Sequence, residues 1–491
     1  MKRFRTAAPA VLLALVLLLT ACGGGSQDPT VESGSGTTAA KSTAMFQTTA
    51  ALAYVQTVDL DAVVIQSEHF SFTAGEMLYL IASISSNLAY YGADTTISLK
   101  EQAFPSETGK TWFDVVIDES LSYAEEQLLY CEVALAKGFQ TDQANEDDLN
   151  DMKKLAEENA ASMSWDLETY FQQFFGTNIR WKDIEGVFRK GFLSQKVRDE
   201  LLATEYTDEE IEKEYQENTK KYALVDYYVV DLNDGEAIPD EVIEAAKTAL
   251  GSASGAEVFR QAVQEFLQAV KTPADIEAAG GIGAYTDNYL KTATRTGIGY
   301  SESELYDWAF AEDTEEGDIL LVENEQTSSS YAYCLLKKPY KDMTVTVDIR
   351  HILFKTGTPY ATQEEARAMA DKVYQEWVDG GASEEKFIEL CAEYSADGNA
   401  EDGGIYTDVY EGQMVQTFND WCFDEARQPG DHGIVDTEYG SHMMYFIGSN
   451  TKWETAVING LLSRDYDALM EQQKALTPVQ TDRELANQIN W

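Results

Sequence analysis

Histidine is scarce in this chain, with four in 491 residues, so the places where acid–base or hydrogen-bond chemistry could sit are few. His351 lies in the strand-like run Val347-Asp348-Ile349-Arg350-His351-Ile352-Leu353, and His442 in the run Thr437-Glu438-Tyr439-Gly440-Ser441-His442-Met443-Met444. Imidazole loses its proton near neutral pH, so each ring can carry a neutral network or move a proton. Between the two come Ser395-Ala396-Asp397, then Gly403-Gly404-Ile405-Tyr406-Thr407, then Gly412-Gln413-Met414-Val415 with Phe418. His432 falls in a turn and His69 in the N-terminal region, and the residues around them assign no role to either. Cys131, Cys334, Cys391 and Cys422 lack CxxC or metal spacing and sit in apolar patterns, so they read as small core residues. No metal and no cofactor is expected.

The elements that must position these residues form one α+β segment. The His351 run is followed by a helix from about Thr362 to Trp377, and a second helix carries Phe387, Leu390, Cys391 and Tyr394. The stretch from about 222 to 340 opens and closes on similar strands, Val225 to Val230 and Tyr331 to Leu336. It echoes the later segment twice. Gly280-Gly281-Ile282 with Tyr285-Thr286-Asp287 matches Gly403-Gly404-Ile405-Tyr406-Thr407-Asp408, and Asp307-Trp308-Ala309-Phe310 with Gly317-Asp318 matches Asp420-Trp421-Cys422-Phe423 with Gly430-Asp431. Two copies of one module are expected.

Upstream, from about Phe46 to Tyr222, the spacing predicts helices throughout. Phe113, Ile117, Leu121, Ala124, Leu128, Cys131 and Leu135 recur at helical steps before Gly138, a suitable C-cap. Helices are also expected over Leu149 to Ala160, over Ser164 to Phe175 and through Ile184 to Leu201, and Thr207 with Glu210 forms a capping box. The segment from Glu454 to Trp491 reads as helical, too small to fold alone, and expected to return onto the N-terminal helices.

The amino terminus reads as an address. Lys2, Arg3 and Arg5 precede an apolar run from Val11 to Leu19 and then Leu19-Thr20-Ala21-Cys22, an export signal ending in a lipobox. The run is short of the roughly 20 residues a spanning helix needs. By resemblance to bacterial lipoproteins, Cys22 becomes the lipidated residue that tethers the protein to the membrane. The Gly/Ser/Thr-rich stretch behind it reads as a flexible stalk. A formal net charge of -49 disfavours nucleic-acid partners, because such a surface repels phosphates.

The order and spacing of Arg350-His351-Ile352-Leu353, Asp397, Gly412-Gln413-Met414 with Phe418, Thr437 and Gly440-Ser441-His442 resemble the parvulin family of peptidyl-prolyl isomerases. The resemblance implies that His351, His442, Asp397 and Thr437 form a catalytic hydrogen-bonded network, and that Met414, Phe418 and Tyr406 bind the proline ring. Tyr406 departs from the family, whose Gly-Gly-Asp-Leu-Gly is Gly-Gly-Ile-Tyr-Thr here, which bears on the pocket's shape and preferences. In the earlier module Tyr228 and Val229, and Ser329 to Tyr331, stand where the histidines would be, so that copy is expected to keep the fold and be catalytically silent. The whole layout is similar to PrsA-type foldase lipoproteins, with a two-module arrangement like SurA-type chaperones.

The expected architecture is therefore a multidomain α+β chain. It comprises a signal peptide over 1–21, a linker over 22–45, a helical chaperone-like domain over 46–221, a degenerate parvulin-like domain over 222–340, a parvulin domain over 341–450 and a C-terminal helical segment over 451–491 that completes the N-terminal domain. The implied function is a membrane-anchored extracytoplasmic isomerase and chaperone acting on unfolded or newly exported chains with X-Pro bonds. The alternative is a holdase with a vestigial isomerase. Pairing of the aromatic N-terminal helices into a homodimer is a further expectation, and a solute-binding lipoprotein is disfavoured by the lack of alternating βαβ patterns.

Overall fold

The computed structural model describes residues 58–86, 88–94, 96–175, 177–233, 238–324 and 329–491. The expected signal peptide and linker, with Cys22, lie outside the described residues. Two compact units are present, one made of the chain up to Glu205 together with Leu462–Trp491, the other of Tyr206–Leu461.

In the first unit, helix Trp112–Lys137 is bounded as its ends dictate. Thr111 and Asp114 cap each other's backbone N–H at the start, and Gly138 closes the end in the left-handed conformation at φ 76°. Helix Ala74–Ser85 is buried along most of its length, and its Met77, Leu78, Tyr79 and Ile81 join Ile117, Leu128, Phe171, Ile184 and Phe188 in one core. On helix Leu167–Phe175, Tyr170 and Phe171 are buried, whereas Trp165 just ahead of it is exposed.

Two expectations need correction here. The N-terminal region is not helical throughout, because β1 (Val63–Gln66) and β2 (Ser71–Thr73) form a hairpin whose other edge pairs with the strand Gln480–Thr481. Strands this short carry too little periodicity to stand out beside long helices. The last segment is likewise not one helix: helix Lys452–Leu476 stops before Pro478, whose missing N–H and fixed φ end it. A short helix, Arg483–Ala486, follows, with Ala486 and Ile489 fully buried in the first unit's core. Within the long helix the buried apolar side chains are Trp453, Val457, Leu461 and Met470, and Ala456, expected on the stripe, is exposed.

The second unit holds two four-stranded antiparallel sheets of identical order. One consists of β3 (Leu224–Asp231), β4 (Thr294–Gly299), β5 (Ile319–Asn324) and β6 (Ser329–Tyr340), ordered β4-β3-β6-β5. The other consists of β7 (Val345–Lys355), β8 (Ile405–Tyr410), β9 (His432–Thr437) and β10 (Gly440–Thr451), ordered β8-β7-β10-β9. The Gly-Asp echo is structural: Gly317 and Gly430 donate to the carbonyls of Leu335 and Phe446, and those residues donate back to Asp318 and Asp431. The diglycine echo is not. Gly403-Gly404 leads straight into strand β8, whereas Gly281 caps helix Ile282–Ala293 and the matching edge strand comes only after it. Local similarity there yields to packing, since Leu290 of that helix is buried in the module's core.

Candidate active site

Period-two alternation in the central pair of strands decides which side chains meet. On β7, Val347 and Ile349 face one core with Met444 and Phe446 of β10, while Ile352 and Phe354 face another with helices Gln363–Asp379 and Glu384–Tyr394. His351 shares the first face, with Met444 opposite it across the ladder, and His442 pairs with Leu353. Both imidazoles are thus buried, 2% and 5% exposed, with Nδ1 facing Nδ1 at 3.1 Å.

The outer nitrogens are held as well. His351 Nε2 lies 2.8 Å from Asp397 Oδ2, and His442 Nε2 lies 2.8 Å from Thr437 Oγ1. The direction of these bonds follows from the ends. An anionic Asp397 only accepts, so His351 carries its proton on Nε2 and accepts at Nδ1; His442 then donates from Nδ1 and accepts the Thr437 hydroxyl at Nε2. Thr437 Oγ1 in turn accepts the Tyr439 N–H at 3.1 Å. Phe418 stands edge-on to both imidazoles, with ring centroids 5.4 Å and 5.3 Å away. Met414 packs into the same cluster. Tyr406 lies against His351 at 5.2 Å, and its hydroxyl donates to Asp397 Oδ2 at 2.9 Å. All four proposed network residues and all three proposed ring-binding residues therefore converge on one sheet face.

The electrostatics set a fixed anion at one end of the network and a buried imidazole at the other. The hydrogen bond from His351, aided by that from Tyr406 and opposed by partial burial, holds Asp397 well below the usual carboxylate range. Burial, reinforced by the neighbouring His351, pushes His442 down to about 4. The Cys391 thiol, which reaches the His351 carbonyl at 3.4 Å, is pushed up to about 11 by burial and stays protonated. No thiolate nucleophile is on offer at the network.

Several residues that hold the site were not singled out from sequence. Arg350 donates to the Gly403 carbonyl at 3.0 Å and to Glu384 at 2.8 Å, fixing the turn before β8. Ser395 Oγ accepts the Leu353 N–H at 3.1 Å, and Ala396 N–H donates to the Leu353 carbonyl at 2.9 Å, which stitches the Asp397 loop to β7. Buried Asn419 accepts the Gly412 N–H at 2.6 Å and anchors the loop bearing Met414. Their sequence signal was only proximity to the motifs, since the partners are backbone atoms far along the chain.

Residues 333–447 match the family described as the PPIC-type PPIASE domain. The chain carries a PPIC-type peptidyl-prolyl isomerase domain. The match begins in β6, ahead of the sheet that carries the histidine network, and ends within β10. The chain is also similar to Foldase protein PrsA 1 of Listeria innocua, 26% identical over 226 residues that cover 46% of this chain and 69% of that protein. A second relative of the same name, from Listeria monocytogenes, shows the same identity and coverage. Among solved structures, PrsA from Bacillus subtilis aligns at 17% identity over 64% of this chain and 95% of its own, with a TM-score of 0.18. In the earlier module the register-equivalent positions of His351, His442 and Thr437 are Val229, Tyr331 and Asn324, so this sheet has no counterpart of the isomerase domain's network.

Proposed function

We propose that this chain is a membrane-anchored, extracytoplasmic isomerase and chaperone that assists secreted proteins as they fold. One observation carries the catalytic part: Asp397, His351, His442 and Thr437 form an unbroken hydrogen-bonded chain beneath Phe418. An X-Pro bond favours trans by only about 0.5–1 kcal/mol, yet its rotation must cross roughly 18–20 kcal/mol because amide resonance is lost midway. No bond is made or broken. Catalysis needs an apolar socket for the ring, tighter grip on the twisted amide than on either planar form, and a carbonyl stripped of water. Met414 and Phe418, with the Tyr406 ring, supply the socket, and the neutral imidazole pair shapes its floor beside one fixed anion.

The placement at a membrane rests on the lipobox reading of Cys22 and on the foldase relatives; among the described residues no helix is long and apolar enough to cross a membrane. Substrates in this reading are unfolded or newly exported chains containing X-Pro bonds. The expected domain boundaries, a client-binding helical domain and a homodimer belong to the same proposal. The test is cis-to-trans exchange of a short X-Pro peptide by the full chain beside its His442→Ala variant. Activity that falls at least tenfold in a folded variant supports the reading, and equal rates in the two overturn the role of the network.

A further inference from the structure

We propose that Tyr406 is a positioning residue of the isomerase reaction, its hydroxyl pinning the Asp397 carboxylate and thereby choosing the direction in which hydrogen bonds run through His351 and His442. The inference rests on the network reading above and goes beyond it, since that reading uses only the Tyr406 ring.

The geometry has three parts. First, one carboxylate oxygen, Asp397 Oδ2, takes both the Tyr406 hydroxyl at 2.9 Å and His351 Nε2 at 2.8 Å. Asp397 stands on a loop; besides the backbone N–H of Gly398, its carboxylate takes donors from two different strands, β7 and β8, and these hold it toward the imidazoles. Second, the Tyr406 ring rests on the His351 ring, tilted by 30°, so the phenol touches two consecutive members of the chain. Third, the far end permits either direction. Thr437 Oγ1 has His442 Nε2 at 2.8 Å and the Gly440 carbonyl at 3.4 Å as acceptors for its one proton. In the reverse arrangement His351 donates from Nδ1, His442 donates from Nε2 to Thr437, and Thr437 donates to Gly440. Only the Asp397 end breaks this symmetry, because a fixed anion demands the proton on His351 Nε2.

Tyr406→Phe keeps the ring and removes the pin. The titratable groups facing Asp397 are His351 from β7, Tyr406 from β8 and Cys391 from helix Glu384–Tyr394, with His442 one ring further. Of these only Tyr406 changes in the variant. Losing a donor that favours the carboxylate's charged form raises the pH at which Asp397 takes up its proton.

The experiment uses the full chain. Peptide isomerisation is measured against pH for wild type, Tyr406→Phe, Asp397→Asn, the double variant and His351→Ala, with nitrogen-15 spectra of the imidazoles in wild type and Tyr406→Phe. The expected result for Tyr406→Phe is a kcat reduced roughly tenfold, the worth of one hydrogen bond to a charged acceptor, at unchanged KM. Its His351 signals show mixed tautomers where wild type shows Nε2–H alone. In the Asp397→Asn background the second change adds little, because Tyr406 acts through Asp397. A Tyr406→Phe protein with wild-type kcat, pH profile and tautomers, while His351→Ala is inactive, overturns this inference alone. His351→Ala with wild-type kcat overturns the network reading itself.

Discussion

At the scale of single residues, the site sets a carboxylate held charged, Asp397, against a buried imidazole held neutral, His442. In the proposed network Asp397 orients the imidazoles, so Asp397→Asn is expected to keep partial isomerase activity while His351→Ala loses more; a protease-coupled proline-peptide assay ranks them, and equal losses would contradict the ordering. His442 supplies a second measurement. Its folded value of about 4 lies below the ordinary histidine value near 6.5, because burial disfavours the imidazolium. In an NMR titration its ring should remain neutral down to that pH. The linkage sign follows: between these two values the unfolded chain takes up a proton that the folded one refuses. Stability is therefore fully present above the upper value and declines as pH falls toward the lower, by on the order of 3 kcal/mol for this group. The depressed Asp397 adds its own loss at still lower pH, in the same direction.

At the scale of elements, the network depends on how closely β8 and the Asp397 loop approach β7. Gly404, at φ 69°, accepts the His351 N–H at its carbonyl at 2.9 Å, and a Cβ there would meet the His351 carbonyl oxygen at 2.2 Å and Cys391 Sγ at 2.6 Å. Gly404→Ala thus combines a left-handed backbone with a collision against rigid backbone. A cost of about 2–4 kcal/mol in denaturant unfolding is expected, with isomerase activity falling as β8 withdraws Tyr406 and its contact to Asp397. Gly440 at the start of β10 is constrained similarly, with the Phe354 carbonyl oxygen 2.1 Å from the site of a Cβ. Period-two alternation in β7 and β10 then does the rest, since the register that buries Ile349 and Met444 necessarily buries His351 and His442 on the same side.

At the scale of the whole molecule, one sheet topology occurs twice and the network once. Val229 and Tyr331 fill the histidine positions of the first sheet, and around them Tyr227, Tyr306 and Tyr333 join an aromatic core with Trp453 and Val457 of helix Lys452–Leu476. That face carries no group able to reproduce the imidazole pair. The full chain bearing both His351→Ala and His442→Ala should therefore show no isomerisation above the uncatalysed rate, although the first module remains intact. Residual catalysis in that folded double variant would place activity in the earlier module.

Much of this was legible in the sequence for physical reasons. Long amphipathic helices announce themselves by apolar spacing and caps, as with Thr111, Asp114 and Gly138, because helix contacts are local. The histidine-bearing strands and the residues that converge on them were legible because motif order along the chain survives folding. What the sequence alone could not decide was long-range pairing. The hairpin β1–β2 and its partner Gln480–Thr481 are too short to signal themselves and exist only because distant segments are brought together. The diglycine echo leads into a strand in one module and a helix in the other, since propensity is weak against tertiary packing. The turn of the Tyr406 hydroxyl toward Asp397, which recasts a ring-binding residue as part of the network, is likewise a fact of three-dimensional approach: an oxygen contributed by a loop meets a phenol from an edge strand, and no local pattern encodes that distance.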